Sequence, residues 1–416
     1  MQRVLAGLVC AFPVWFAACS TSGEMTATTQ QSLTATLSAG SAEDLGTLGG
    51  TQSEAVAINE RGQIVGFSAL SGGACGGPTP SCHAFLWEDG TMQDLGTLGG
   101  GYSAAVAINN AGKVAGNSTT ASGTNCPNLP VAGCHAFLWD GGTMTDLGSL
   151  GGDFSNATAI NPAGHVVGWS KTASGEVHGF FWDGEMHDLG TLGGPASIAY
   201  DINPGNRIVG FSTIPTGPFC GVPVADCHAY VSFQGTMSDI GTLGGDHSTA
   251  LAINPAGHAT GVSTTAGGLA HAFSWDGKGL TDLGTLGGDE SEGVAINERG
   301  DIVGFAWTVG GPIGDPHPFL WDGTTMIDLG TLGGVDGFAT DINARGDVVG
   351  AAGTTNSCTA PGGCDAFFWA DGTMLDLGTL GGPYSLANAV NNRREVAGWS
   401  KTPSDDIHAA RWVVKP

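Results

Sequence analysis

A histidine and an aspartate recur along the chain, and both side chains can act as acids, bases or metal ligands. The aspartates, which stand 42 to 52 residues apart, are Asp44, Asp94, Asp146, Asp188, Asp239, Asp282, Asp328 and Asp376. The histidines are His83, His135, His178, His228, His271, His317 and His408. Catalysis needs a few unique residues, whereas an equal role in every copy is typical of a structural hydrogen-bond set. We therefore predict a structural role for the recurring positions represented by Asp94, His83, Ser53 and Trp87.

The cysteines are a second group with possible chemistry. Apart from Cys10 and Cys19, they come in pairs, each within one variable loop. The pairs are Cys75/Cys82, Cys126/Cys134, Cys220/Cys227 and Cys358/Cys364. A zinc site that includes the following histidine is the alternative, but adjacent strand residues such as Cys82 and His83 point to opposite faces. We predict four local disulfides, a pattern typical of an exported chain.

The densest acidic cluster consists of Asp289, Glu290 and Glu292. Carboxylates at this spacing are the ligands that calcium prefers. The whole chain is acidic, however, with a net charge of -25, and a solvated acidic loop is the favoured explanation of the cluster. We predict no cofactor and no metal, with calcium at these three residues as the alternative.

A repeated unit that ends in the phrase Asp-Leu-Gly-Thr-Leu-Gly-Gly must position these residues. Between 55 and 98, two alternating runs joined by a turn predict one hairpin, and residues 83–87 with 91–96 predict a second. No segment after the N-terminal apolar run shows a helical period. Four short antiparallel strands per unit match the blade of a β-propeller.

The two ends of the chain indicate a closed ring. The chain enters the repeats with a lone last strand at 44–46 and ends after a third strand at 408–412. The N-terminal strand would complete the final blade and remove exposed sheet edges. The predicted fold is an all-β, eight-bladed β-propeller of four-stranded antiparallel blades, with the ring closed by the N-terminal strand pairing with the last blade.

The repeats resemble the HAF repeat family of bacterial extracellular repeat proteins. The resemblance covers residues 44–412 and rests on the sequence His-Ala-Phe-Leu-Trp at 83–87 and on the Leu-Gly-Thr-Leu-Gly-Gly phrase. The departures are Asp365 for histidine, Phe233 for tryptophan, and Gly179 and Pro318 for alanine. The resemblance implies a surface location and no particular activity.

The variable loops are where we expect function. In a propeller, the loops between second and third strands share one face with the loops that follow each Gly-Gly, and variable loops on a rigid scaffold commonly bind partners. The candidate interaction residues are Tyr102, Asp153, Phe154, Asp246, His247, Asp289, Glu290, Glu292 and Tyr384. We predict a non-enzymatic, monomeric scaffold that binds a protein or glycan through this face.

The alternative function is a propeller-type polysaccharide hydrolase or lyase. Such an enzyme needs two carboxylates that break the repeat pattern and lie close together. Glu54, Glu176 and Glu292 break the pattern, but the sequence does not place them beside one another. The close similarity of the units favours the binding scaffold.

The N-terminus predicts export. Residues 1–18 have the form of a lipoprotein signal peptide, with a short apolar run that ends in Phe-Ala-Ala-Cys. Cys19 is the predicted lipidation site, residues 19–42 form the lipidated end and a Ser/Thr-rich tether, and residues 43–416 form the propeller. We expect a bacterial lipoprotein of the outer membrane or cell surface that touches the membrane only through its lipid. The negative charge disfavours nucleic acid as a partner.

Overall fold

The computed structural model describes residues 37–415, except for 74, 76–80, 122–125, 127–132, 216–225, 310–314, 356 and 359–362. The predicted signal peptide, Cys19, most of the tether and Cys220 lie outside the described residues. The described chain is built of β-strands and contains no helix, which confirms the predicted all-β class. Accordingly, no described segment forms an apolar helix of membrane-spanning length.

The repeated unit is an antiparallel meander of four strands, and we number the units 1 to 8 in chain order. The first strands are Gly49–Ile58, Gly99–Ile108, Gly151–Ile160, Ser197–Ile202, Gly244–Ile253, Gly287–Ile296, Gly337–Ile342 and Ser385–Val390. The second strands are Ile64–Leu70, Val114–Thr120, Val166–Thr172, Ile208–Thr213, Ala259–Thr265, Ile302–Thr308, Val348–Gly353 and Glu395–Lys401.

The outer half of each unit follows the same order. The third strands are Cys82–Glu88, Cys134–Asp140, Val177–Trp182, Cys227–Phe233, Ala270–Trp275, Pro316–Trp321, Cys364–Ala370 and Ile407–Lys415. The fourth strands are Thr91–Asp94, Thr143–Asp146, Met186–Asp188, Thr236–Gly241, Leu280–Asp282, Met326–Asp328 and Thr373–Asp376. Two further strands, Ser38–Ala39 and Glu43–Asp44, precede unit 1.

The N-terminal strands pair with the end of the chain, as the sequence predicted. Glu43 lies opposite Arg411 and Asp44 opposite Ala410, so Glu43–Asp44 takes the place of a fourth strand in unit 8. Ser38–Ala39 continues this antiparallel pairing along Ile407–Lys415. The outer edge of unit 8 is thereby covered.

A bulge in every first strand explains the glycine of the second strand. In unit 1 the register shifts between Ala55 and Ala57, and the same shift recurs in the other units. A Cβ on Gly66 would lie 1.9 Å from the carbonyl oxygen of Glu54. Only glycine allows the two strands to approach so closely.

The hydrophobic core lies between neighbouring units. Leu45, Ala55 and Phe85 of the N-terminal part pack with Ala397 and Ala409 of unit 8. Similar clusters join the other neighbouring units along the chain. One unit therefore cannot bury its apolar surface alone, which is the physical basis of a repeat architecture.

The predicted loops after each Gly-Gly are wrong for units 1, 2, 3, 5 and 6, because the first strands of these units begin at the glycines, whereas those of units 4, 7 and 8 begin three or more residues later. Gly99–Ile108, for example, includes Tyr102, which pairs in parallel with Cys82 of the preceding unit. The first strand is therefore held both by its own second strand and by the neighbouring third strand. Such cross-unit pairing is invisible in the pattern of a single unit.

Candidate functional site

The antiparallel strands define two faces of the molecule. The loop face carries the connections between second and third strands and the crossings from each fourth strand to the next unit. The turn face carries the turns that follow each first strand and the tight turns between third and fourth strands. The second-to-third connections vary from four residues at 173–176 to thirteen at 121–133 and 214–226. The loop face is therefore the variable face.

The recurring histidines and aspartates meet on the loop face as pairs. His83 Nδ1 lies 2.9 Å from both carboxylate oxygens of Asp94, across the third and fourth strands. Equivalent pairs are His135–Asp146, His178–Asp188, His228–Asp239, His271–Asp282, His317–Asp328 and His408–Asp44. The last pair joins the C-terminal strand to the N-terminal strand.

Each aspartate also fixes the backbone of its own phrase. Gly96 N donates to Asp94 Oδ1 at 2.7 Å, which positions the crossing to the next unit. Burial raises the pKa of the Asp146 carboxyl, but hydrogen bonds from His135 and Gly148 outweigh it, and the pKa falls below its ordinary value. Burial disfavours the charged His317 ring, yet Asp328 outweighs it and raises the pKa of His317. The carboxylate and imidazole are thus engaged with each other.

Unit 7 lacks this pair because Asp365 stands where the other units have histidine. Burial and the charge of Asp376 raise the pKa of Asp365 to about 6. Two carboxyl groups therefore lie near each other across the third and fourth strands of unit 7. This position is the one break in the histidine–aspartate series.

The recurring serine links seven of the eight units to the one before it, and unit 7 has Gly337 at this position. Ser103 Oγ donates to Gly96 O at 2.5 Å and accepts from Ala84 N at 2.8 Å. Ser53 makes the same two bonds to Gly46 and to Ala409 of unit 8. Because these partners are backbone groups in adjacent units, the serine holds neighbouring third and first strands together. The arrangement is suited to structural satisfaction of buried groups.

The disulfide prediction is confirmed for three pairs. Bonds join Cys75 to Cys82, Cys126 to Cys134 and Cys358 to Cys364. Cys227 is also disulfide-bonded, while Cys220 lies outside the described residues. The first two bonds pack together with Tyr102 and Ala104 in one cluster between units 1 and 2. The disulfides therefore brace the base of the variable loops.

The structure divides the candidate interaction residues into buried and exposed groups. Tyr102 and Phe154 are buried against the neighbouring third strands, so their assignment to an exposed binding surface is wrong. Tyr384 is half-buried and stacks on Trp399 with ring centroids 5.2 Å apart. The exposed members are Asp153, Asp246, Asp289 and Glu290, while His247 and Glu292 are partly exposed. The exposed part of this set is therefore entirely acidic.

The carboxylates of the acidic cluster are in different environments. Asp289 and Glu290 are exposed, whereas burial raises the pKa of Glu292 to about 7. Burial also raises the pKa of Glu54, which stands at the same strand position in unit 1. Among the described residues, no group of three or more His, Cys, Asp or Glu side chains could hold a metal ion. The calcium alternative at the acidic cluster therefore has no support in the geometry.

A series of asparagine side chains joins the units on the turn face, a role that the sequence analysis did not assign to them. Each side-chain amide donates to the backbone oxygen of the asparagine in the next unit, at 3.0 to 3.4 Å. The donors are Asn59, Asn109, Asn161, Asn203, Asn254, Asn297, Asn343 and Asn391. Asn391 donates to Asn59, so the series returns to its start. The signal in the sequence is a polar residue that recurs where every first strand ends.

Asp201 and Asp341, two aspartates at positions without an aspartate in the other units, also join neighbouring units. Asp341 accepts from Ile342 N in its own strand and from Val390 N in the next unit, at 2.8 Å each. Asp201 accepts likewise from Ile202 N and Ile253 N. Burial raises the pKa of both, in Asp341 to about 6. These carboxylates satisfy backbone donors at the inner edges of neighbouring units.

The comparisons with known proteins identify the fold. No protein-family model and no curated protein matches this chain. The β-propeller domain of the trilobed protease from Pyrococcus furiosus is similar over 80% of this chain and 97% of that chain, with 11% identity and a TM-score of 0.50. At this identity the likeness shows the fold alone, a β-propeller of mostly four-stranded sheets.

Two further structures have lower TM-scores. An acylaminoacyl peptidase of Pyrococcus horikoshii has 12% identity and a TM-score of 0.47 over 86% of this chain and 59% of that chain. A protein of unknown function from Dyadobacter fermentans has 14% identity and a TM-score of 0.42 over 91% of this chain and 99% of that chain. The fold assignment does not depend on either of them.

Proposed function

We propose that the protein is a non-enzymatic, exported and lipid-anchored β-propeller scaffold that binds a protein or glycan through its loop face. One observation carries the proposal. The side chains best suited to catalysis are those of the histidine–aspartate pairs and the serines. They are all engaged in hydrogen bonds that are repeated from unit to unit. The variation lies instead in the connections above them, some of which are braced by disulfides. A rigid scaffold with variable loops is suited to recognition.

Eight blades in a closed ring are part of the proposal. The asparagine series passes through eight first strands and returns to Asn59. The pairing of Glu43–Asp44 with Ile407–Lys415 supports closure at the outer edge. A ring of this kind holds the variable loops in one fixed array around its axis.

Export and anchoring are supported by the disulfides and by the course of the N-terminal strand. Disulfides persist in oxidising compartments outside the cytosol. Ser38 lies opposite Lys415, at the turn-face end of the third strand. A tether that continues from Ser38 towards Cys19 would leave from the turn face, so the loop face would point away from the membrane. The HAF resemblance implies the same surface location.

Loop grafting tests the binding proposal. The connection at 173–176 is a tight four-residue turn, and we would use it to replace the connections at 71–81, 121–133 and 354–363. The grafts would leave Cys82, Cys134 and Cys364 without their partners, so these three residues are replaced by alanine in the same variant. We expect capture of outer-surface proteins or glycans by the immobilised protein to fall at least tenfold, with a cooperative unfolding transition retained. Lys278→Ala on the turn face is the control and should leave capture unchanged. Full capture by the grafted protein would overturn the proposal.

The alternative of a polysaccharide hydrolase or lyase is favoured by one observation, the raised pKa of Glu292. A carboxyl group that is protonated near neutral pH is suited to general acid catalysis. Assays for new reducing ends and for unsaturated products on a polysaccharide panel would test it. Product release that is lost in Glu292→Gln would replace the binding scaffold by the enzyme.

A further inference from the structure

A polar groove opens on the turn face where unit 8 meets unit 1. Its volume is about 400 Å³, within the range of small-ligand sites. The charged lining consists of Glu43, Arg61, Asp89, Arg393, Glu395 and Arg411. The three positive and three negative side chains cancel, so the groove attracts neither anions nor cations by net charge.

This groove breaks the repeat because of Arg411. Arg411 lies opposite Ala397 in the third strand of unit 8, the position that Leu86 occupies opposite Val65 in unit 1. The corresponding residues of the other units are Leu138, Phe181, Val231, Ser274, Leu320 and Phe368. A unique charged residue at a position that is otherwise mostly apolar distinguishes this junction from the others.

Arg411 is held in place before any ligand arrives. Its Nη1 group donates to Glu43 Oε2 at 2.8 Å, and its Nη2 group donates to Glu395 Oε1. The guanidinium lies 5.5 Å from the centre of the Trp87 ring. Arg393 also donates to Glu395, through Nε at 2.9 Å. The floor of the groove is therefore preorganised, which reduces the entropic cost of binding.

The rim of the groove keeps free hydrogen-bonding capacity. Asp89 is exposed and has no hydrogen-bond or ion-pair partner among the described residues. Its backbone, with φ of 48°, belongs to the tight turn of unit 1 and fixes where the carboxylate projects. Arg61 donates one side-chain N–H to Gln63 at 2.7 Å, and its other side-chain N–H groups have no partner within the described chain. One acceptor and one donor group are thus available on the same rim.

We propose that this groove binds a neutral saccharide of one or two sugar rings. Carboxylate and guanidinium groups are planar and make paired hydrogen bonds, a geometry that suits adjacent hydroxyls of a sugar. The balance of charge disfavours an ionic ligand, and the mostly polar lining disfavours an apolar one. The site lies on the face opposite to the proposed loop-face surface and does not depend on it.

Ligand-observed NMR with matched variants tests the proposal. The probes are lactose, maltose, cellobiose and N,N′-diacetylchitobiose, with digalacturonate and glycylglycine as charged comparators. We expect saturable binding of at least one neutral disaccharide at one site. Asp89→Asn, which keeps the shape and tolerates the positive φ, should weaken that binding at least tenfold.

Asp371→Asn is the matched control because Asp371 holds the same turn position in unit 7, with φ of 50°, outside the groove. Asp371→Asn should leave binding unchanged. In the same way, Arg61→Gln in the groove should weaken binding, whereas Arg299→Gln outside the groove should not. The proposal is overturned if no neutral disaccharide binds at millimolar concentration, if only a charged comparator binds, or if the control weakens binding equally. Loop-face capture should be unaffected by Asp89→Asn, so failure of this site and failure of the loop-face proposal are separate results.

Discussion

The loop face and the turn face both carry hydrogen bonds that recur from unit to unit, but only the connections on the loop face vary widely in length. On the turn face, Asn109 and its counterparts bond to the next unit directly below turns of nearly constant length. On the loop face, Ser103 and its counterparts bond to the preceding unit beneath connections of four to thirteen residues. Because seven of the eight units carry this serine below the loops, the connections can change in length without loss of packing.

The two faces also differ in charge. Within the described chain, Lys171 and Lys401 are the only lysine or arginine residues on the loop face. The turn face holds the others, which are Arg61, Lys113, Arg207, Lys278, Arg299, Arg345, Arg393, Arg394, Arg411 and Lys415. The exposed aspartates of the histidine pairs and of the first strands lie on the loop face. The loop face is the more acidic surface, and positively charged groups should approach it faster at low ionic strength.

Removal of the N-terminal strands should have the largest effect on stability. These strands pair with Ile407–Lys415 from the turn face to the loop face, where unit 8 meets unit 1. Deletion of residues up to 45 removes the Glu43–Arg411 and Asp44–His408 pairs and the buried Leu45 side chain. Loss of a buried leucine alone costs about 2–5 kcal/mol, so we expect the free energy of unfolding to fall by at least about 4 kcal/mol. Chemical denaturation provides the measurement.

Deletion of residues up to 36 is the control for this truncation. It leaves Ser38–Ala39 and Glu43–Asp44 in place, so the denaturation midpoint should not change. Equal midpoints for the two truncations would contradict closure of unit 8 by the N-terminal strand.

Single substitutions compare the two repeated bond sets. Asn109→Ala removes a bond to Asn161 O and two bonds from the backbone of its own turn, at a buried site. Unsatisfied buried groups are costly, and we expect a loss of about 3 kcal/mol of unfolding free energy. Ser103→Ala removes two bonds and should cost about 2 kcal/mol. Calorimetry distinguishes them, and a larger loss for Ser103 would show that the loop face holds the units together more strongly.

The sequence was sufficient for the unit but not for the contacts between units. Alternation and turn residues predict four strands, and the split repeat at the two ends predicts the pairing of Asp44 with the C-terminal strand. The role of Asn109 was missed because an asparagine after a strand fits any turn, and its acceptor lies 52 residues away. Tyr102 was misplaced because an aromatic residue after glycines looks like a loop tip, whereas its partner is Cys82 of the preceding unit.

The partly buried Glu292 makes stability depend on pH. Its pKa is raised from 4.5 to about 7, so the folded protein favours the protonated form. The carboxylate imposes no penalty below pH 4.5, and the penalty grows as the pH rises to about 7. Such a shift is worth at most about 3 kcal/mol, and Glu292 keeps some solvent contact. We expect Glu292→Gln to raise the unfolding free energy by about 2 kcal/mol at pH 8 and negligibly at pH 4. Substitution of the exposed Glu290 by glutamine should change the unfolding free energy at neither pH. If Glu292→Gln raised the unfolding free energy equally at pH 4 and pH 8, the link between Glu292 ionisation and stability would be refuted.

Substitution of Asp365 can create a histidine–aspartate pair in unit 7, so the contribution of this pair to stability can be tested by adding a pair as well as by removing one. Its pKa is raised from 3.8 to about 6, so the folded state loses stability as the pH rises between these values and the two carboxylates come to face each other. Asp365→His should place an imidazole beside Asp376, as His135 lies beside Asp146 at 2.9 Å. Because the site is half-exposed, we expect a gain of only about 1 kcal/mol at pH 8.

The reverse exchange, His135→Asp, should cost about the same at that pH, since it creates in unit 2 the arrangement that unit 7 has naturally. Thermal melts of the two variants and the parent protein at pH 8 provide the comparison. If Asp365→His gives no gain at pH 8 while His135→Asp is costly, the pair depends on its unit and is not an interchangeable part of the scaffold. Matching changes of opposite sign would show that this bond set has the same structural role in each unit that carries it.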